Sequence, residues 1–532
     1  MSDAIELELF TNRFRALVGE MGERLRRTAV SVNVKERMDF SCGLLDDRGR
    51  LVANAPHIPV HLGSLGLCVR SVARRLAFSA GDVVITNHPA YGGSHLPDVT
   101  VITPVFVEGA EPASKLLGFV ANRAHHAEIG GTRPGSMPPT GRSLAEEGVV
   151  LDPMYLARGG VFDWESVRRR LEEGSHPSRA VEENLADLAA AVAANHRGAE
   201  VLQGLAARYG RFEVERFMRL LAVQARDLAA GALARFSPGV FEAEERLDDG
   251  SPLRVRIELP VPVEPDIRLT EERSVSNRRR RIDFSGSAPV HPGNLNATPG
   301  IVRSVVLYVL RLLIDEPIPL NEGLLDGIEI VIPTGILNPD FGDDPSFAAA
   351  VVGGNVETSQ RLVDTLLKAL GIAACSQGTM NNVLFGNESF AYYETVGGGC
   401  GGGPEWDGAS GVHSHMTNTA ITDPEVLEVR YPVRLDRFAI RHGSGGKGLH
   451  PGGDGLIREM TFASPLQLSV LTQHRTAGPY GFNGGGDGAC GRQALVRTSG
   501  ERLILGSIDG CEVEPGDRLI LETPGGGGWG SG

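Results

Sequence analysis

Gly81-Asp82-Val83-Val84-Ile85-Thr86-Asn87-His88-Pro89-Ala90-Tyr91-Gly92-Gly93-Ser94-His95-Leu96-Pro97-Asp98 is the stretch on which the reading of this chain turns. The β-branched run at 83–86 predicts a short strand whose far end opens into a loop bearing two histidines and a carboxylate. Two more β-rich segments follow, at 99–107 and 116–122, and the second runs directly into Arg123-Ala124-His125-His126. Neighbouring strands would therefore deliver two His-bearing segments to one place. Upstream, apolar residues at spacings of three or four over 5–30 predict a long helix, 39–45 and 50–53 a hairpin, and 65–78 a further helix. Downstream, Ala, Leu, Glu and Arg dominate 163–236 and predict two or three long helices. Strand periodicity returns over 240–282, then a buried helix at 301–314, a strand at 328–332 and a helix at 358–370. From about Arg430 short β segments are broken by glycines. The fold class is α/β: a mixed multi-domain architecture with an N-terminal helix, an α/β metal-site region (1–160), a helical insert (161–238), a mixed α/β domain (239–425) and a β-rich C-terminal domain (426–532).

The chain has 532 residues, enough for several domains with buried cores. Lys plus Arg is 52 against 66 Asp plus Glu, and the net charge of -14 repels phosphate backbones and anionic lipid heads, so nucleic acid and membrane surfaces are not expected partners. The apolar run at 301–314 contains Arg303 and Arg311 and is shorter than the roughly 20 residues that cross a bilayer. No signal-peptide pattern opens the sequence, and the six cysteines include no CxxC pair, which argues against a disulfide framework or a thiolate zinc site. A cytoplasmic location fits. Glycine is the outlier, with 69 residues clustered at 397–403 and 525–528, where backbone must bend sharply or approach something closely.

Six of the 14 histidines lie between His57 and His126, a clustering that points to chemistry in this part of the chain. His95-Leu96-Pro97-Asp98 sets an imidazole and a carboxylate three residues apart on a stiff loop, after two glycines that allow close approach. That pair suits a divalent metal such as zinc, manganese or iron, although an HxxD pair also serves as a structural hydrogen bond. His125 or His126 is the candidate third ligand, since adjacent side chains on a strand point to opposite faces and only one can face the site. Glu36 or Asp39 is the candidate fourth. His57 and His61 either line the cavity or serve a capping or core role. Arg278-Arg279-Arg280-Arg281 is an anion site or a salt-bridged turn. The 397–403 glycine run lacks both the Walker pattern and Rossmann spacing, so no nucleotide is assigned. Cys400 within it has no local base and reads as a flexible-loop residue, and His413-Ser414-His415 with Asn418 as a pocket lining or a hydrogen-bonding element.

The chain resembles the hydantoinase B/oxoprolinase family. The resemblance is carried by Val34-Lys35-Glu36-Arg37-Met38-Asp39-Phe40-Ser41-Cys42, His57-Ile58-Pro59-Val60-His61-Leu62-Gly63-Ser64, the 81–98 stretch and Ala124-His125-His126-Ala127-Glu128-Ile129-Gly130-Gly131. It continues through Asp283-Phe284-Ser285-Gly286-Ser287, Pro319-Leu320-Asn321-Glu322-Gly323 and Pro451-Gly452-Gly453, and so covers essentially the whole chain. It implies the B-type subunit of an ATP-dependent amidohydrolase acting on a hydantoin, 5-oxoproline or a lactam, in a hetero-oligomer with an A-type subunit that uses ATP. The cyclic amide, activated by phosphorylation on that partner, would be opened here. Alternatives are a subunit of an ATP-dependent ketone carboxylase and a non-catalytic scaffold for the A-type subunit. The resemblance implies a divalent metal (zinc, manganese or iron) held by His95, Asp98 and His125, with Glu36 as fourth ligand and Asp39 its competitor. It leaves His126, His88, His57 and His61 as candidates for proton transfer or for supporting the ligands. Where the family commonly has Asn-Asp-Pro, this chain has Asn87-His88-Pro89, exchanging a carboxylate for an imidazole.

Overall fold

A computed structural model describes residues 2–55, 58–107, 115–261 and 280–532. The α/β fold class holds, with several sheets and packed helices. The first sheet has seven antiparallel strands: β1 Phe40–Asp46, β2 Leu51–Asn54, β3 Val83–Thr86, β4 Asp98–Val107, β5 Lys115–His125, β6 Met154–Arg158 and β7 Val161–Phe162, ordered β2-β1-β5-β4-β3-β6-β7. Helices Ser2–Thr28 and Val181–Tyr209 cover one face, and the apolar stripe of the first, from Phe10 and Phe14 through Leu17, Met21 and Leu25, is buried there. Gly198 lets the second helix close onto Met21, since a methyl at that position would strike the Met21 sulfur. Helix Pro59–Arg75 covers the other face. Alternation sorts the strand side chains: Val83, Ile85 and Val101 join the first core, and Val84 and Ile102 the second.

Helix Pro299–Leu312 lies across helix Pro59–Arg75, and a Cβ on Gly63 would sit 2.5 Å from the Ser304 Cα, so the crossing requires glycine. It packs with helix Ser359–Leu370 beside a four-stranded sheet of Gly239–Arg246, Pro252–Leu259, Arg280–Asp283 and Ile328–Val331. In a third sheet Asn382–Gly386 and Ala391–Glu394 join Leu466–Leu471 and Ile508–Val513, so strands from both sides of residue 426 pair with one another. A five-stranded sheet completes the C-terminal part.

The glycine run at 397–403 is not a flexible loop. It is threaded between other glycine segments, with Gly399 N–H donating to Pro524 O (3.0 Å), Gly402 N–H to Gly527 O (2.9 Å), and Gly526 N–H to Gly453 O (2.9 Å). Cys400 is held the same way, its N–H on Ala409 O and its carbonyl receiving Gly453 N–H (both 2.9 Å), and burial pushes its thiol up to about 11. Among the described residues no helix is long and apolar enough to cross a membrane, and all six cysteines are unpaired.

One buried carboxyl yields a pH prediction. Glu147 accepts Val351 N–H (2.9 Å) and Val352 N–H (2.8 Å), but its burial dominates and pushes its pKa from 4.5 up to about 8. The folded chain then binds this proton more tightly than the unfolded chain. The contribution to stability is fully present below the unfolded value, falls at up to ~1.4 kcal/mol per pH unit, and levels off above the folded one. Glu147→Gln is expected to flatten that slope between pH 5 and pH 8. Denaturant midpoints measured at several pH values, with the variant as steep as the parent, would remove Glu147 as its origin.

Candidate metal centre

Strand register builds the site. Asp98 begins β4, directly opposite His125 at the end of β5, and Phe40 of β1 pairs with Ala124 on the other side of β5. His125 N–H donates to Asp39 O (3.0 Å), so Asp39, Asp98 and His125 gather at one end of three adjacent strands. His95 joins them because the turn before β4 closes with Asp98 N–H on His95 O (3.1 Å). The result is a buried group of His95, Asp98 and His125 whose ligand atoms all lie within 4.8 Å of one another. His95 Nε2 is 3.1 Å and His125 Nδ1 3.5 Å from Asp98 Oδ1. From helix Pro59–Arg75, His61 brings its Nε2 to 3.2 Å from Asp98 Oδ2, which also accepts the Ser94 hydroxyl.

Burial alone would raise the Asp98 pKa, but the neighbouring His95 and His61 imidazoles, with His125 close by, outweigh it and hold this carboxyl well below the usual range. His95 is pushed down by burial against the pull of Asp98, which favours the neutral imidazole that metals bind. Both ring nitrogens of His95, Asp98 Oδ1, His125 Nε2 and His61 Nδ1 are buried without a hydrogen-bond partner. Buried polar atoms are nearly always satisfied, so this concentration of orphans around one carboxylate fits a divalent cation.

Asp39 is buried with its Oδ2 4.0 Å from His125 Nδ1, and Glu36 is half-buried at the end of the short helix Val32–Lys35, within reach of the Arg26 charge. Between them Met38 takes a left-handed conformation (φ 54°), an unusual cost for a side chain of this kind that turns Asp39 inward. His126 faces away from His125, as strand alternation requires, with its Nδ1 3.1 Å from the Asn184 amide nitrogen, and burial lowers its pKa. His88 caps a short turn by accepting Ala90 N–H at Nδ1 (3.1 Å) and lines a separate cavity of about 320 Å³ with Asp152, Arg170, His176 and Asp343. The imidazole that departs from the family motif therefore faces this cavity, not the group around Asp98. His57, Arg278 and Arg279 lie outside the described residues. Arg281 pairs with Asp283 at 2.7 Å. His415 pairs with Asp364 at 3.0 Å, and His413 and Asn418 line a cavity of about 420 Å³.

Arg37, Tyr393 and Arg123 carried no sequence signal of a role at the site. The fully buried Arg37 donates to Tyr393 O (2.7 Å) and to the Thr395 and Thr419 hydroxyls (both 3.2 Å), and reaches 3.9 Å from Asp39. The Tyr393 ring stacks on His125 at 4.6 Å. Arg123, also fully buried, donates to Gly92 O (2.9 Å) and Thr100 Oγ1 (2.8 Å), fastening the loop that carries His95. A lone Arg or Tyr far along the chain cannot be assigned to a site from spacing.

A sequence profile of the hydantoinase B/oxoprolinase family matches residues 3–532. The chain is 42% identical over 555 residues to 5-oxoprolinase 1 of Arabidopsis thaliana, an alignment that covers 100% of this chain and 42% of that protein. It thus spans about two fifths of the length of the 5-oxoprolinases it matches. In fold it is similar to the ATP-dependent caprolactamase from Pseudomonas jessenii, with a TM-score of 0.84 and 23% identity, covering 99% of this chain and 91% of that one. It is equally similar to nucleotide-free acetone carboxylase, with a TM-score of 0.83 and 18% identity over 99% of this chain and 76% of that one. With its motifs in order, its fold shared and the family profile spanning nearly every residue, the chain belongs to the hydantoinase B/oxoprolinase family.

Proposed function

We propose that this chain is the metal-holding component of an ATP-dependent cyclic amidohydrolase, with 5-oxoproline the first substrate to test and hydantoins and lactams next. The observation that carries the reading is the buried His95–Asp98–His125 group with its unpartnered atoms, in a chain 42% identical to a 5-oxoprolinase. The carboxylase reading has a fold likeness of the same size behind it, but the sequence relatives named for their activity favour the hydrolase. Because the 5-oxoprolinase relatives are more than twice as long, the ATP-using part is proposed to lie in an A-type component that works with this chain.

An amide carbon is a poor electrophile, and phosphorylation of the carbonyl oxygen by ATP makes it a good one. Water then adds to that carbon, the ring C–N bond breaks as nitrogen takes a proton, and hydrolysis of the resulting acyl phosphate releases phosphate. When bound, a divalent cation (zinc, manganese or iron) supplies Lewis acidity and lowers the pKa of a water. His95, Asp98 and His125 would hold it, with Asp39, 4.0 Å from His125, or Glu36 to complete the set. Asp98 stays ionised throughout, and His61, on its second oxygen, is placed to hold or pass a proton. His126, bonded to Asn184, and His88, lining the neighbouring cavity, would support the site from those positions.

The test is to isolate the chain with its ATP-binding component, determine zinc, manganese and iron by elemental analysis, and assay 5-oxoproline, hydantoin and caprolactam with and without ATP. About one metal per chain and ATP-dependent ring opening are expected. Turnover seen only with a ketone and bicarbonate would replace the hydrolase by a carboxylase.

A further inference from the structure

Most metal-ligating histidines are oriented by a hydrogen bond from their second ring nitrogen. His125 has no such bond: Nδ1 faces Asp98 and Asp39, and Nε2 is buried without a partner. Its ring is instead held face to face by Tyr393, with centroids 4.6 Å apart and planes 14° from parallel, and edge-on by His95 at 4.9 Å. Tyr393 is itself fixed from several directions. Its strand pairs it with Leu384, and its hydroxyl donates to Asn382 Oδ1 (2.9 Å). Asn382 cannot flip, because its amide donates to Leu471 O and to Glu357 Oε1 (both 2.6 Å). Glu357 comes from the wide turn Gly354–Thr358, a π-helical element of the kind often found at functional sites. The Arg37 guanidinium lies 4.7 Å from the Tyr393 ring centroid and donates to the Tyr393 carbonyl.

We infer that Tyr393 is a positioning residue for the metal centre: through its ring, the sheet containing Asn382–Gly386 and Ala391–Glu394 sets the plane of His125, a ligand carried by the N-terminal sheet. The inference rests on the proposed reading of His95, Asp98 and His125 as metal ligands. Without the flat face of Tyr393, His125 can rotate about its side-chain bonds in a cluster where no hydrogen bond to its second nitrogen restrains it. Ordering the ring would then fall to the bound ion, which weakens binding. Arg37 and Asn382 act one step further out by holding Tyr393.

Two variants separate the ring from the hydroxyl. Tyr393→Met keeps apolar volume and removes the flat face, and is expected to weaken metal binding about 10- to 100-fold, the usual loss when a ligand's supporting partner is removed. Tyr393→Phe keeps the face and frees the ring from Asn382, with a smaller loss, about 3-fold. Dissociation constants for zinc and cobalt are measured by competition with a chromophoric chelator, well below the unfolding temperature of each variant. The visible bands of the cobalt-loaded protein report ligand geometry, which a role confined to core packing would leave unchanged. If Tyr393→Met does not fold, the affinity and cobalt spectrum of Tyr393→Phe decide alone. Wild-type affinity and spectrum in every folded variant would overturn the positioning role. A wild-type chain that binds no metal more tightly than His95→Ala would overturn the underlying ligand assignment instead.

Discussion

His95→Ala is expected to leave a folded chain that retains no metal and, with its ATP-using component, opens 5-oxoproline more than ~100-fold more slowly, beyond the 10–100-fold cost of losing a partner that merely supports a ligand. The substitution leaves a small cavity where a fully buried imidazole stood, but it strands no hydrogen-bond partner, since neither ring nitrogen is bonded to the protein. Stability should therefore change far less than activity. Asp98→Asn tests the same centre from the charge side. It preserves shape, yet replaces a carboxylate that His95, His61 and Ser94 all address by a group with only one acceptor oxygen. Elemental analysis, thermal unfolding and turnover of the assembled complex are the three readings. If metal content and turnover survive His95→Ala, the chain is a scaffold for its ATP-using component and its histidines are structural.

Gly526→Ala is expected to prevent stable folding of the C-terminal part, with a loss above ~4 kcal/mol or no soluble protein. A methyl group at Gly526 would overlap the Cys400 carbonyl, and those at Gly399 and Gly453 would overlap the Gly453 and Ala409 carbonyls. No side-chain rotation relieves such a clash, because the opposing atoms are backbone held by the hydrogen bonds of the layer. Gly204→Ala provides the opposite sign. It lies in helix Val181–Tyr209 with nothing within 4 Å of the added carbon, and should gain roughly 0.5–1 kcal/mol from helix propensity and reduced unfolded-state freedom. Denaturant midpoints and soluble yields of the two variants, made side by side, check the pair. A soluble Gly526→Ala with the parent's midpoint would show that the layer yields, and that the glycines serve something other than close packing.

Much of the secondary structure was legible because it is local. The helix expected over 301–314 is Pro299–Leu312, the strand at 83–86 is Val83–Thr86, and the region 163–236 holds helices Trp164–Glu172, Val181–Tyr209 and Arg211–Leu233. Period and capping are set by neighbouring residues, so a linear reading can find them. The ends of elements were less legible. The helix expected at 65–78 starts earlier, at Pro59, because a Pro at the first turn costs no hydrogen bond and His61 is drawn into the buried centre.

By itself, the sequence determined the family, the fold class and the His95–Asp98 pair, since a spacing of three on a Pro-stiffened loop leaves few arrangements for the two side chains. It also determined that only one of His125 and His126 could face the site, because strand alternation is a property of the backbone. Tertiary structure decided the rest. The chain turns at left-handed Met38 into the buried Asp39, the packing of helix Pro59–Arg75 brings His61 to Asp98, and Arg37 and Tyr393 reach the centre from segments far apart in the chain. The glycine layer is of the same kind: a glycine in a sequence shows only that a side chain is missing, and what fills the space is known once distant backbones have packed there.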